Sequence, residues 1–148
     1  MKNWRNSAKM SPKKRKAAGA KASGFSILKK TKGGVPDLPF KRLKEEILGR
    51  SYELSLVLAG DALTRELNGK HRGKDKPADV LSFPYSSSSG EIFLNPRRAK
   101  KEAGSFGMNA RKFFAYLFIH GLLHLKGYDH GSRMEKAEAG ILKKFSRL

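Results

Sequence analysis

Cysteine is absent from the 148 residues, so neither disulfides nor thiolate ligands are available, and any transition-metal site has to be built from imidazole and carboxylate. Only four histidines are present, which narrows that search at once. Long apolar runs are missing too. The longest, Phe113 to Ile119, is interrupted by His120 and Gly121 and falls far short of the roughly 20 residues a membrane span needs. No secretory hydrophobic region follows Met1, so a soluble, cytoplasmic protein with no membrane partner is the expectation. Acidic residues are scarce, 13 against 32 basic ones, for a net charge of +19. That excess goes beyond what solubility requires and points to a polyanionic partner. The plainer reading of such a charge run is a solvated face.

The charge is unevenly spread. Residues 1 to 36 carry eleven Lys and Arg and no acid, leaving 21 basic against 13 acidic residues, or +8, over the remaining 112. Residues 1–23 mix Lys, Ala, Ser and Gly around Pro12 without periodicity and cannot bury enough surface to offset their ordering entropy, so a disordered basic arm is expected. A mitochondrial presequence would share the basic, acid-poor composition, but it should be amphipathic and Arg-rich, whereas here Lys dominates. Residues 24–148, with 39% apolar content in the whole chain, suffice for one domain.

Within that domain, patterning predicts strands at Phe25–Leu28, Tyr52–Leu58, Val80–Phe83 and Glu91–Leu94, the last two adjacent enough to pair antiparallel. Helices are expected over Lys41–Leu48, over Ala62–Leu67 with Asp61 as its cap, and from Pro96, where Asn95 precedes a proline at the first helical position. Asn68–Lys76 reads as a loop. Asn109–Leu125 is the most apolar helix and should cross the core. Ser132 and Glu135 suggest a capping box for a final helix, Arg133–Phe145.

Residues 120 to 130 read His-Gly-Leu-Leu-His-Leu-Lys-Gly-Tyr-Asp-His. Four residues apart on a helix, His120 and His124 stand one above the other and can face a single ion. Gly127 allows a positive φ, so the chain can turn back and present His130 as a third ligand. Three neutral nitrogens with an open fourth position are how catalytic zinc is usually held. Asp129 is placed to orient a ligand by a hydrogen bond. One class of zinc proteases has the same histidine skeleton but needs Glu directly after the first His as general base. Here that position is Gly121. A glycine inside a helix costs about 1 kcal/mol relative to alanine, so it serves either close helix packing or room for a bulky substrate over the metal.

The segment His120–His130 resembles the signature of the YbeY family of single-strand-specific endoribonucleases and rRNA maturation factors. Leu67-Asn68, Arg72, Asp75, Pro77 and the run Asp79 to Pro84 are similar to that family's second block, with Gly90-Glu91-Ile92 where it usually has Gly-Asp-Ile. The resemblance implies an α+β fold in which a small, mixed, mostly parallel four-stranded sheet is flanked by helices, with the metal site on a core helix and the turn after it. It implies one zinc ion on His120, His124 and His130, a functional arginine at Arg72, and single-stranded RNA as substrate. It also implies work on the 3′ end of 16S rRNA and in ribosome quality control, with the small ribosomal subunit and its assembly factors as partners. Three departures stand out: Ala78 where Thr is usual, His71 where Tyr is usual, and a shortened link from His130 to Met134.

A bound divalent ion can lower the pKa of its water to about 7 and stabilise charge on a phosphoryl oxygen. Arg72 is the candidate phosphate clamp, since a guanidinium matches phosphate oxygens with a planar fork of donors. A pairing of Arg72 with Asp75 or Asp79 that merely pins a loop is the alternative. Asp129 and Glu91 are both open as general base, as is the metal hydroxide alone. Beside the metal-dependent endoribonuclease stand a non-catalytic, zinc-containing rRNA-binding module and a metallopeptidase that lacks its Glu.

Overall fold

The computed structural model describes residues 24–145; the basic arm expected over residues 1–23 lies outside them. In chain order the elements are β1 (Phe25–Lys30), α1 (Phe40–Leu48), β2 (Glu53–Ala59), α2 (Asp61–Arg72), β3 (Val80–Ser86), β4 (Ser89–Leu94), α3 (Pro96–Glu102), a 3-10 turn at Ala103–Phe106, α4 (Ala110–Lys126) and α5 (Ser132–Lys144). The four strands form one sheet in the order β1-β2-β4-β3. β1 and β2 pair in parallel, as do β2 and β4, while β3 runs antiparallel to β4. This is the mixed, mostly parallel four-stranded α+β architecture expected.

Helix α4 crosses the core because its sequence leaves it almost no wet side: Phe113, Phe114, Leu117, Phe118, Ile119, Leu122 and Leu123 are all buried. Asn109 caps its start, accepting from Lys112 N at 2.8 Å. The helix lies on β3 and β4 and is covered in turn by α1 and α5. From α1, Phe40 sets its ring edge-on against Phe114 and Phe118, with centroids 6.1 and 5.2 Å apart. Such T-shaped pairs add to the area they bury.

Several local expectations need correction. Gly60, not Asp61, caps α2; the Asp61 carboxylate instead accepts from Asn95 Nδ2 at 2.9 Å. The helix also runs past Leu67 to Arg72, where Gly73 takes the left-handed conformation that stops it. Asn68, expected in a loop, is buried and ties the next segment down by donating to the Lys76 carbonyl at 2.9 Å. β3 continues through Pro84 to Ser86, which an edge strand tolerates because the missing amide would face no partner. α5 starts at Ser132 behind Gly131, without the expected side-chain cap. Asn95 does cap α3, accepting from Arg98 N at 3.2 Å.

Candidate metal centre

The last turns of α4 carry His120 and His124 on one face, and the helix ends where Gly127 adopts φ 116°. Its N–H bonds the Leu123 and His124 carbonyls at 3.1 and 3.0 Å, and Tyr128 N reaches Leu123 O at 3.0 Å. That closure turns the chain back and brings His130 to the other two. The ligand atoms of the three imidazoles lie within 4.8 Å of one another, the one such group of three among the described residues. His120 Nε2 and His124 Nε2 are 3.2 Å apart. Two nitrogens bound tetrahedrally at about 2.05 Å stand roughly 3.3 Å apart, so this pair is already at chelating distance.

Each of the two helical imidazoles is aimed by a bond to its far nitrogen. His124 Nδ1 donates to the Tyr128 carbonyl at 3.0 Å, and His120 Nδ1 meets the Glu138 carboxylate. Such bonds select the tautomer with Nε2 open and raise its basicity. Glu138 sits 5% exposed on α5 and also accepts from the half-buried Tyr116 hydroxyl, whose pKa is raised by burial first and by Glu138 and Glu135 next. Burial is likewise the main cause that holds the His130 imidazole below its ordinary value; His120 and Arg72 add to the effect and Glu138 opposes it. A neutral ring is the form that binds a cation.

Arg72 closes α2 near enough for its charge to act on His130, and burial lowers its own pKa. Nearby, Asp75 lies 3.5 Å from Arg65, and Asp79 lies 2.8 Å from Arg98. Asp129 is exposed on the turn, lining a pocket with Lys126, Tyr128 and Arg133. Glu91 is fully buried and accepts from the Tyr85 hydroxyl. His71 packs on Phe83 with centroids 5.1 Å apart, and Ala78 N donates to Thr64 Oγ1 at 3.3 Å. Gly121 serves close packing: a Cβ there would stand 3.0 Å from Ser82 Oγ and 3.2 Å from Ile92 Cδ1. Ser82 Oγ also donates to the Gly121 carbonyl at 3.1 Å.

Glu138 escaped the sequence reading. Its signal was an acid on the otherwise apolar stripe Met134, Ala137, Ile141 and Phe145 of the last helix, where a carboxylate needs an inward partner.

The family model for Endoribonuclease YbeY matches residues 34–146. The chain belongs to the YbeY endoribonuclease family. Endoribonuclease YbeY of Petrotoga mobilis is 38% identical over 107 residues, 70% of this chain and 74% of that protein. The one from Anaplasma phagocytophilum is 37% identical over 133 residues, 82% and 86% of the two chains. A Thermotoga maritima protein solved in solution superposes with TM-score 0.59 at 27% identity, covering 83% of this chain and 92% of its own. YbeY chemistry is metal-dependent hydrolysis of RNA, and His120, His124 and His130 are side chains able to hold that metal. No helix among the described residues is long and apolar enough to cross a membrane.

Proposed function

We propose that the chain cuts single-stranded RNA with one zinc ion on His120, His124 and His130, acting in the cytoplasm on the 3′ end of 16S rRNA and in ribosome quality control. The observation that carries this is the convergence of three imidazoles, two of them held by Glu138 and the Tyr128 carbonyl so that Nε2 points inward. Three nitrogens, with no fourth side chain in the group among the described residues, match a catalytic zinc site, which keeps one position open for chemistry. When bound, the ion supplies Lewis-acid polarisation of a phosphoryl oxygen and acidification of water.

The chain's own residues do the rest. Glu138 and the Tyr128 carbonyl hold the rings in place. Arg72 grips the phosphate beside His130, its charge fixed and its donors matched to two oxygens. Asp129, adjacent to His130 in the turn, is the candidate to move a proton, being exposed where Glu91 is buried against Tyr85. Residues 24–148 act as one catalytic domain, with residues 1–23 as a basic arm. The charge of +19 supports docking on rRNA of the small subunit, in company with its assembly factors.

His124→Ala is expected to lose both the metal, measured by elemental analysis, and cleavage of a single-stranded RNA, while far-UV circular dichroism stays native. Retained cleavage would sink the proposal. The charge equally favours a non-catalytic rRNA-binding module whose metal is structural. Arg72→Ala separates the two: lost cleavage with metal retained belongs to the nuclease alone.

A further inference from the structure

A second concentration of cations lies at the opposite end of α4 from the histidines. A cleft of about 730 Å³ opens between the segment after β1, the start of α3 and the first turn of α4. Lys32, Arg97, Lys100 and Arg111 line it, and among the described residues no Asp or Glu does. Gly33 and Gly34 form one wall, and a Cβ at either would meet nothing within 4 Å, so the backbone there is open to close approach. This is the end at which the parallel strands β1 and β4 finish, at Lys30 and Leu94. Open α/β sheets take up ligands at that end.

The character of the cations indicates the ligand. Lys32 and Lys100 are exposed. Arg97 has 81% of its side chain in solvent and only a loose 3.8 Å approach to Asp61, while Arg111 is steadied by donating to the Asp37 carbonyl. A pocket made for one small anion holds it with rigid, buried donors. Long, solvated cations around an open cleft suit a phosphodiester backbone, which is bound by charge and without regard to sequence. Arg111 precedes His120 by nine residues and His124 by thirteen, or about 13.5 to 20 Å along the helix at 1.5 Å per residue. A stacked strand advancing about 3.4 Å per nucleotide covers that in roughly four to six nucleotides.

We infer that this cleft is a second RNA contact, which binds the backbone of the substrate strand about four to six nucleotides from the bond held at the histidines. It rests on the RNA reading of the site. It makes long strands better ligands than short ones without touching the chemistry.

The test is the double variant Lys32→Ala/Lys100→Ala in the full chain, metal-loaded, titrated with a labelled oligouridine of roughly a dozen nucleotides and with a uridine dinucleotide. The slope of log affinity against log salt for the long strand should fall by about 1.4, and its affinity at about 0.1 M salt roughly twenty-fold, since each single-strand phosphate contact contributes about 0.7. Dinucleotide cleavage and the thermal midpoint should not move. Unchanged long-strand affinity and slope overturn the cleft. So does an equal loss for both ligands, because a remote contact cannot act on a ligand too short to reach it. A wild-type chain that binds the long strand through these lysines but never cuts RNA refutes the nuclease and leaves the cleft standing. A wild-type chain that cuts RNA while the variant binds normally refutes the cleft alone.

Discussion

Glu138→Ala tests whether the carboxylate on α5 belongs to the metal centre or only to the core. Glu138 is not one of the three side chains that could hold the ion; it bonds His120 Nδ1 and receives the Tyr116 hydroxyl. Losing a partner of that kind typically weakens metal binding ten- to a hundredfold, about 1.4 to 2.7 kcal/mol. With free zinc at about 100 times the wild-type Kd, binding stabilises the fold by about 2.7 kcal/mol. The variant would keep only about 1.4 to 0.4 kcal/mol of that, a loss of about 1.3 to 2.3 kcal/mol. At about 4 °C per kcal/mol for a domain of this size, the zinc-induced rise in Tm should shrink by roughly 5 to 9 °C. The assay is differential scanning fluorimetry of both proteins in chelator and in buffered zinc. Comparing increments removes any change in the metal-free fold, and Glu138→Gln, which keeps a hydrogen-bonding group without its charge, should fall between the two. Equal increments in wild type and Glu138→Ala would refute the reasoning.

Because burial depresses His130 in the folded chain, the unfolded chain takes up that proton first on acidification. The associated stability is therefore full above the unfolded value of about 6.5 and is lost as pH falls through the folded one. In chelator, Tm should decline across this window, and His130→Asn should flatten the decline; an identical slope counts against the assignment. Gly90→Ala would place a Cβ 2.5 Å from Tyr52 Oη and 3.1 Å from the Phe83 carbonyl. Since backbone cannot yield as a side chain can, about 1 to 3 kcal/mol of stability should go, read as a lower urea midpoint, and an unmoved midpoint contradicts the packing. Deleting residues 2–23 removes eight cations and should flatten the salt dependence of RNA binding by as much as roughly 5.6 in slope, whereas an unchanged slope leaves the arm without that role.

The parts of the fold legible in the sequence are those fixed by local chemistry or strong periodicity. The helix carrying His120 and His124 announces itself through its apolar run, Asn109 and Gly127, and the structure places its ends at Ala110 and Lys126. What misled were residues whose local habit yields to a distant partner. Asp61 would cap a helix in isolation, but its carboxylate goes to Asn95, 34 residues away. Asn68 to Arg72 looks like loop because it is polar, yet Asn68 is buried by its bond to Lys76 O. Lys44 is fully buried on the inner face of α1, where its Nζ donates to the Arg50 carbonyl at 3.0 Å. The same limit hid Glu138, whose partner lies 18 residues back on another helix. The histidine spacing was legible because it is local, and the groups that aim those histidines were hidden to the degree that they are not.

Gly121 shows how the structure strengthens an argument that began as a mere absence. From the sequence, the peptidase reading loses its general base because the residue after the first histidine has no side chain. The structure adds that this position faces the sheet. Ser82 and Ile92 are cross-strand partners on β3 and β4, and they meet the glycine at distances of 3.0 and 3.2 Å to a hypothetical Cβ. Those neighbours would crowd even a methyl group, and a glutamate would bury its charge against Ile92. The close seat of α4 on the sheet and the presence of a carboxylate at position 121 are therefore incompatible in this fold. Of the acids named at or near the site, Glu138 is engaged with His120 and Glu91 with Tyr85, and Asp129 stands on the turn beside His130 rather than directly after the first histidine. Peptide hydrolysis needs a base for water and an acid for the leaving amine. A phosphodiester asks chiefly for charge to be stabilised on its oxygens, and a cation held by the three histidines beside Arg72, as proposed above, would supply that.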